Sequence, residues 1–108
     1  MSRNLHCEIV TRARQLLEDR KRWTRYASAR DPSGRKCAPT EDRAVRYCAY
    51  GALLRAAYQV TGCPKRAAEL ARTTERMVAG DTRLSQVNDK SGYRAVVRLM
   101  EAASRDVR

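Results

Sequence analysis

Residues 44–60 read AVRYCAYGALLRAAYQV, and this stretch decides the fold. Within it only Arg46, Arg55 and Gln59 are strongly polar. A helix over this stretch is apolar on nearly every side, so the rest of the chain has to surround it. We therefore predict a central buried helix that starts near residue 41, where Thr40 suits the N-cap position and two acidic residues follow it.

The predicted central helix has two unlike sides when its residues are placed at about 100° intervals. The small side comprises Val45, Ala49, Ala52 and Ala56, and the bulky side comprises Tyr47, Tyr50, Leu54 and Tyr58. Small groups let a neighbouring helix approach closely, whereas the bulky side either fills the core or lines a ligand groove. Gly51 lies beside the bulky side, and a glycine inside a helix costs about 1 kcal/mol relative to alanine. We expect very close packing at Gly51, or another segment approaching its backbone.

The whole chain of 108 residues has the length of one domain, residues 1–108, and its 43% apolar content is ordinary for a folded protein. Abundant alanine, arginine and leucine favour helices over sheets. We predict an all-α, single-domain bundle of four main helices at about residues 4–20, 41–60, 64–79 and 91–106. A long loop at about 27–39 contains proline, glycine and serine and has room for a short strand. Residues 81–87 have the pattern of one short helical turn, and 88–92 that of a polar turn.

The formal charge of +11 comes from 23 basic and 12 acidic residues. Such an excess favours an anionic partner, with nucleic acid first, although arginines also decorate ordinary solvated helices. The run RKRWTRY at 20–26 interleaves cations with aromatic rings, as phosphate-binding and base-stacking segments do. The ring of Trp23 either stacks on a base or turns inward to anchor the following loop. The candidate anion contacts are Arg20, Lys21, Arg22, Arg25, Arg30, Arg35 and Lys36.

Catalytic and metal-binding signatures are missing from the sequence. The four cysteines include no C-x-x-C pair, His6 is the only histidine, and no glycine-rich phosphate loop is present. An enzymatic interpretation would pair Cys48 with His6 or Asp89, but a thiol within an apolar helix has a raised pKa and is inert. We therefore assign no catalytic residue, metal or cofactor, and an enzyme is the less favoured class.

The sequence contains neither a membrane span nor a signal peptide, so we expect a cytoplasmic protein with free thiols and no membrane partner.

Several marks form one pattern along the chain: Trp23, Asp31 with Gly34, Cys48 with Gly51 and Ala52, and the pair Asn88–Asp89. The pattern Trp…Asp-x-x-Gly…Cys-x-x-Gly-Ala…Asn-Asp resembles an uncharacterised family of small bacterial and phage-associated helical proteins, a domain of unknown function. The resemblance covers about residues 5–103. It indicates where a functional site would lie, but it implies no activity.

The polar residues of this pattern are predicted to lie in loops next to the central helix. Asp31, Asn88 and Asp89 either border such a site or act as turn and capping residues. The candidate pocket residues are Trp23, Asp31, Tyr47, Cys48, Tyr50, Gly51, Asn88 and Asp89.

These observations favour a small, basic, non-enzymatic binding or regulatory module that acts on nucleic acid or on an acidic protein partner. One alternative is a small-molecule-binding protein or enzyme with a pocket beside the tyrosines of the central helix. Another is a helical protein-interaction subunit whose bulky side is completed by a second chain. The sequence leaves the oligomeric state open.

Overall fold

The computed structural model describes residues 4–106, and within that range most of the chain is helical. The helices are α1 (Leu5–Leu16), α2 (Ala49–Thr61), α3 (Pro64–Ala79), α4 (Leu84–Ser91) and α5 (Tyr93–Asp106). A single 3₁₀ turn covers Arg20–Arg22, and three strands follow as β1 (Ala29–Arg30), β2 (Lys36–Cys37) and β3 (Arg46–Tyr47).

Helix α2 lies at the centre of the bundle, as predicted, and packs most extensively against α3 and α1. Its small side is fully buried at Ala49, Ala52 and Ala56. Helix α3 presents Ala67 and Ala71, also fully buried, so small side chains on both helices permit a close approach. The remaining helices add the larger groups of the core, which include Ile9, Val10, Leu17, Leu84, Val96 and Met100.

The predicted start of the central helix is wrong, because α2 begins at Ala49 rather than near residue 41. Thr40 does not cap it; the cap is Cys48. The residues before Ala49 are extended instead, and their backbone forms hydrogen bonds with that of β1. The Val45 amide, for example, donates to the Arg30 carbonyl at 2.9 Å. Tyr47 therefore lies in β3 and not on the bulky side of the central helix, where it was predicted. Pairing with a distant strand outweighed the local helix-start pattern.

A small antiparallel sheet stands where a long loop and an all-α fold were predicted. Strand β1 is central and pairs with β2 on one side and β3 on the other. One cross-strand row comprises Cys37, Ala29 and Tyr47, and the next comprises Lys36, Arg30 and Arg46. The first row packs on the helices, where Ala29 and Tyr47 are buried. The fold is therefore predominantly α with a three-stranded sheet rather than strictly all-α.

Two further helix boundaries differ from the prediction. Helix α1 ends at Leu16 rather than near residue 20, and a separate 3₁₀ turn capped by the Asp19 side chain begins at Arg20. A fifth helix, α4, covers the region predicted as a short helical turn and a polar turn, so Asn88 and Asp89 are helical. The predicted helix at 64–79 is confirmed as α3, and that at 91–106 closely matches α5.

Gly51 has a specific steric role in the first turn of α2. A Cβ atom added there would lie 1.8 Å from the backbone carbonyl oxygen of Ser28, well inside van der Waals contact. The segment that leads into β1 therefore crosses α2 at the one place where it lacks a side chain. The expectation that another segment approaches the Gly51 backbone is confirmed.

Replacement of Gly51 by alanine tests this close approach. In an ordinary helix the change stabilises by about 1 kcal/mol. Here we expect Gly51→Ala to destabilise by about 2 kcal/mol or more, because the Ser28 carbonyl belongs to backbone that has to move away. Urea denaturation followed by circular dichroism measures the free energy of unfolding. A stabilised variant would contradict the packing described.

Candidate functional site

The Asn88 side chain joins three separate parts of the chain and is completely buried. Its Oδ1 atom accepts hydrogen bonds from the Trp23 indole Nε1 at 2.6 Å and from the Ala49 amide at 2.9 Å. Its Nδ2 atom donates to the Thr24 carbonyl at 3.0 Å and to Asp89 Oδ1 at 3.1 Å. We call these five residues the Asn88 network. It fastens the segment after the 3₁₀ turn to the start of α2 and to α4.

Cys48 caps α2 with its sulfur atom, which accepts the Gly51 amide hydrogen at 3.2 Å. Cys48 was predicted to lie within the central helix, but it lies at the N-cap. Burial raises the pKa of the Cys48 thiol above its ordinary value, against smaller opposing contributions from nearby backbone amides. The thiol is therefore protonated at neutral pH, which does not suit a nucleophile.

Asp31 organises the turn between β1 and β2. Its Oδ1 atom accepts hydrogen bonds from the Ser33 hydroxyl at 2.7 Å, the Ser33 amide at 3.0 Å and the Arg35 amide at 2.9 Å. The Ser33 hydroxyl contributes most to lowering the pKa of Asp31, and the two amides and the Arg43 guanidinium add to the effect. Asp31 thus holds the hairpin in shape, as a turn residue does.

The outer face of the sheet carries a row of three cations, Lys36, Arg30 and Arg46, which we call the basic row. Arg30 lies in the middle, and its guanidinium donates to Thr24 Oγ1, the Gly34 carbonyl and the Arg25 carbonyl at 2.8–3.1 Å. Lys36 and Arg46 are exposed on either side of it. Arg46 was missed as a candidate contact because it was predicted to lie on the central helix.

The other predicted cation contacts lie close to the basic row in sequence. The guanidinium of Arg20 lies 5.5 Å from the Tyr93 ring centre and that of Arg25 lies 5.3 Å from the Trp23 ring centre. Lys21, Arg22 and Arg35 are exposed. Within residues 4–106, none of the seven cations predicted to contact an anion forms an ion pair with a carboxylate.

The Trp23 ring is turned inward rather than free to stack. It is half-buried, donates to Asn88 and meets the Tyr93 ring edge-on at a centroid distance of 5.8 Å. The neighbouring aromatic residue, Tyr26, is 65% exposed and has a φ of 64°, which is uncommon for an aromatic residue. Its amide donates to Asp89 Oδ1 at 3.1 Å. Tyr26 is therefore the exposed ring of the RKRWTRY run.

A cleft of about 460 Å³ opens between α3, α4 and the beginning of α2. Of the predicted pocket residues it includes Cys48, Tyr50 and Asp89. The other predicted pocket residues have structural roles. Trp23 and Asn88 belong to the Asn88 network, Tyr47 lies in the sheet, Gly51 lies where the segment before β1 crosses α2, and Asp31 lies in the hairpin turn. The remaining residues that line the cleft are Tyr26, Ala27, Ser28, Arg72, Glu75, Arg83 and Ser85.

The walls of this cleft combine aromatic, cationic and acidic groups. The Arg72 guanidinium lies 4.6 Å from the ring centre of Tyr50, and burial raises the pKa of the Tyr50 hydroxyl. The buried Glu75 carboxylate accepts the Leu84 amide at 2.9 Å and pairs with Arg72 at 3.4 Å. No local motif marks Arg72 or Arg83, because the fold brings them to the cleft from different segments.

These features define a class of small, predominantly helical protein in which a short sheet is fastened to a helix bundle by a buried asparagine. No helix within residues 4–106 is long and apolar enough to cross a membrane.

The chain belongs to the family described as "Family of unknown function (DUF6197)", whose model matches residues 1–106. Searches of curated proteins and of solved structures found no match to the chain.

Loss of the Asn88 side chain should destabilise the fold strongly. Asn88→Ala leaves the Trp23 indole and the Ala49 amide without their acceptor and opens a small cavity, so we expect a loss of about 3 kcal/mol. Urea denaturation monitored by the Trp23 fluorescence measures the free energy of unfolding. The matched control is Gln86→Ala, an exposed position on the same helix, which should change stability by no more than about 0.5 kcal/mol.

The cysteines should differ in their reactivity toward iodoacetamide. Because the Cys48 thiol is buried and its pKa is raised, we expect it to be the slowest of the four to alkylate at pH 8. Mass spectrometry of peptides from the native protein gives the individual rates. Cys7 and Cys63, which are half-buried, serve as internal references. Rapid labelling of Cys48 would contradict the conclusion that its thiol is unreactive, and Cys48 would again be a candidate nucleophile.

Proposed function

We propose that this chain is a non-enzymatic binding module that holds the phosphate backbone of nucleic acid against the basic row and the adjoining cations. The observation that carries the proposal is the row itself. Lys36, Arg30 and Arg46 lie directly opposite one another across three strands. Like charges in this arrangement destabilise a sheet, so the row costs stability in the free protein. A bound polyanion relieves that cost.

The chemistry of the row suits phosphate. Arg30 is fixed by three neutral acceptors, so its charge is not neutralised by a carboxylate. In the part of the chain that the structure describes, Lys36 and Arg46 make neither an ion pair nor a side-chain hydrogen bond. Their side chains are therefore free to reach successive phosphates. The exposed side chains of Arg22 and Arg25 add further positive charge.

An acidic protein surface is the other partner that a cationic surface can bind. The regular spacing of phosphates along a strand favours nucleic acid, since each neutralised phosphate releases counterions and produces a steep salt dependence. The exposed Tyr26 ring adds a surface on which a base can stack.

Fluorescence anisotropy with labelled single-stranded and duplex oligonucleotides tests the proposal. We expect binding at low ionic strength whose affinity falls steeply with salt. The double variant Lys36→Gln/Arg46→Gln should lower the slope of log affinity against log salt by about 1.5 units, because two phosphate contacts are lost. Arg30 is kept, since its hydrogen bonds hold the segment between the 3₁₀ turn and the hairpin.

The matched control is Arg94→Gln/Arg98→Gln on α5, which removes the same two charges from exposed positions. It should bind with nearly the original affinity and slope. Equal losses in the two double variants would show that net charge alone is responsible. Absence of salt-dependent binding to every oligonucleotide would overturn the proposal.

A further inference from the structure

We propose that the nucleic acid held by the basic row is single-stranded and that one of its bases stacks on the exposed ring of Tyr26. This inference rests on the proposed function, since the phosphates of the same strand have to lie on the basic row. It adds a contact that only an unpaired base makes. Three observations support it: the exposure of the ring, its place beside the central cation of the row, and the short span of the row.

The Tyr26 side chain is 65% exposed, whereas the other exposed large hydrophobic side chains of residues 4–106, Leu5, Val45 and Met77, are 39–42% exposed. Within the same residues its ring and hydroxyl make no hydrogen bond, aromatic contact or cation–π contact. The other four tyrosines of the chain are held through their rings or hydroxyls; they are Tyr47, Tyr50, Tyr58 and Tyr93. Tyr26 is therefore the tyrosine whose ring is available to a partner.

The backbone of Tyr26 lies directly beside the middle of the basic row. The Arg30 Nη2 atom donates to the Arg25 carbonyl at 3.1 Å, and this carbonyl belongs to the peptide group that joins Arg25 to Tyr26. The amide of the same peptide group donates to Asp89 Oδ1 at 3.1 Å. Both polar atoms of the peptide group are held, so the Tyr26 side chain leaves the backbone at a fixed point next to the row.

Arg25 places a further cation between the Asn88 network and this ring. Its guanidinium lies 5.3 Å from the ring centre of Trp23, which is itself held by Asn88, and the Arg25 side chain is exposed. Arg25 is therefore supported by an aromatic ring rather than by a carboxylate, and its charge is available to phosphate. Cations that hold the backbone beside a ring that stacks on a base are the usual combination in proteins that bind single strands.

The basic row is short enough to be covered by a few nucleotides of one strand. Neighbouring strands of a sheet lie about 4.8 Å apart, so the Cα atoms of Lys36, Arg30 and Arg46 span about 10 Å. In a duplex the bases are paired and stacked on one another, and Tyr26 would meet the face of a base only at an end. In a single strand, a base next to a held phosphate is free to turn onto the ring.

Fluorescence anisotropy with short labelled probes of equal length tests the inference. Two probes are single strands that carry the same base, oligodeoxyuridylate and oligouridylate, the third is an abasic DNA strand, and the fourth is a DNA duplex. The abasic strand keeps the phosphates and lacks the bases. We expect both single strands to bind about tenfold more tightly than the abasic strand, because stacking of a base on an aromatic ring contributes that much. The tighter of the two single strands identifies DNA or RNA as the ligand.

Variants of Tyr26 assign the difference to its ring. Tyr26→Asn removes the ring, and asparagine tolerates the φ of 64° at this position. It should weaken the binding of both single strands by about tenfold and leave the abasic strand, the duplex and the salt slope unchanged, because no phosphate contact is lost. The matched control, Tyr26→Phe, keeps the ring and should bind like the original chain. Urea denaturation shows whether either variant has lost stability.

The results distinguish this inference from the proposed function. Absence of salt-dependent binding to all four probes would overturn both. Salt-dependent binding in which the abasic strand equals the single strands would leave the proposed function standing and overturn the single-strand inference. Normal binding of the single strands by Tyr26→Asn would overturn it as well.

Discussion

The fold depends on the burial of one amide side chain, that of Asn88. A buried amide without partners costs several kcal/mol, so its donors and acceptors have to be met together. Here they are met by the Trp23 indole, the Thr24 carbonyl, the Ala49 amide and Asp89. Because Oδ1 binds the first amide of α2, this contact also helps to fix where that helix starts. The position of the sheet follows, since the residues before Ala49 are then extended and able to pair with β1.

Several residues singled out in the sequence have a physical role at this junction. Trp23 and Asn88 share a hydrogen bond, Cys48 and Gly51 share the capping contact of α2, and Gly51 admits the Ser28 carbonyl. Residues far apart in sequence therefore act as one joint between loop, sheet and bundle. Such a pattern specifies the framework, so binding chemistry has to be sought in the residues that surround it.

Prediction from sequence succeeded where packing is local and failed where backbone pairing is long-range. The 3.6-residue period and the capping residues located α3 and α5 and the core of α2, because an amphipathic or apolar helix declares itself over ten or more residues. The strands are two residues each, too short for any alternation to be visible. Nothing near Arg46 indicates that it will face Arg30, and nothing near Arg72 or Arg83 indicates a shared cleft. Gly51 was the exception, since a costly glycine in an apolar helix indicates a close neighbour.

The segment from Thr24 to Ser28 connects the basic row to the cleft. At one end, Thr24 Oγ1 and the Arg25 carbonyl hold the Arg30 guanidinium in the middle of the basic row. At the other end, residues 26–28 form a wall of the cleft, and the Tyr26 amide is held by Asp89. The Asn88 network fixes this segment through the Thr24 carbonyl. A rigid joint therefore supports both surfaces, so the basic row and the walls of the cleft are positioned by the same five residues.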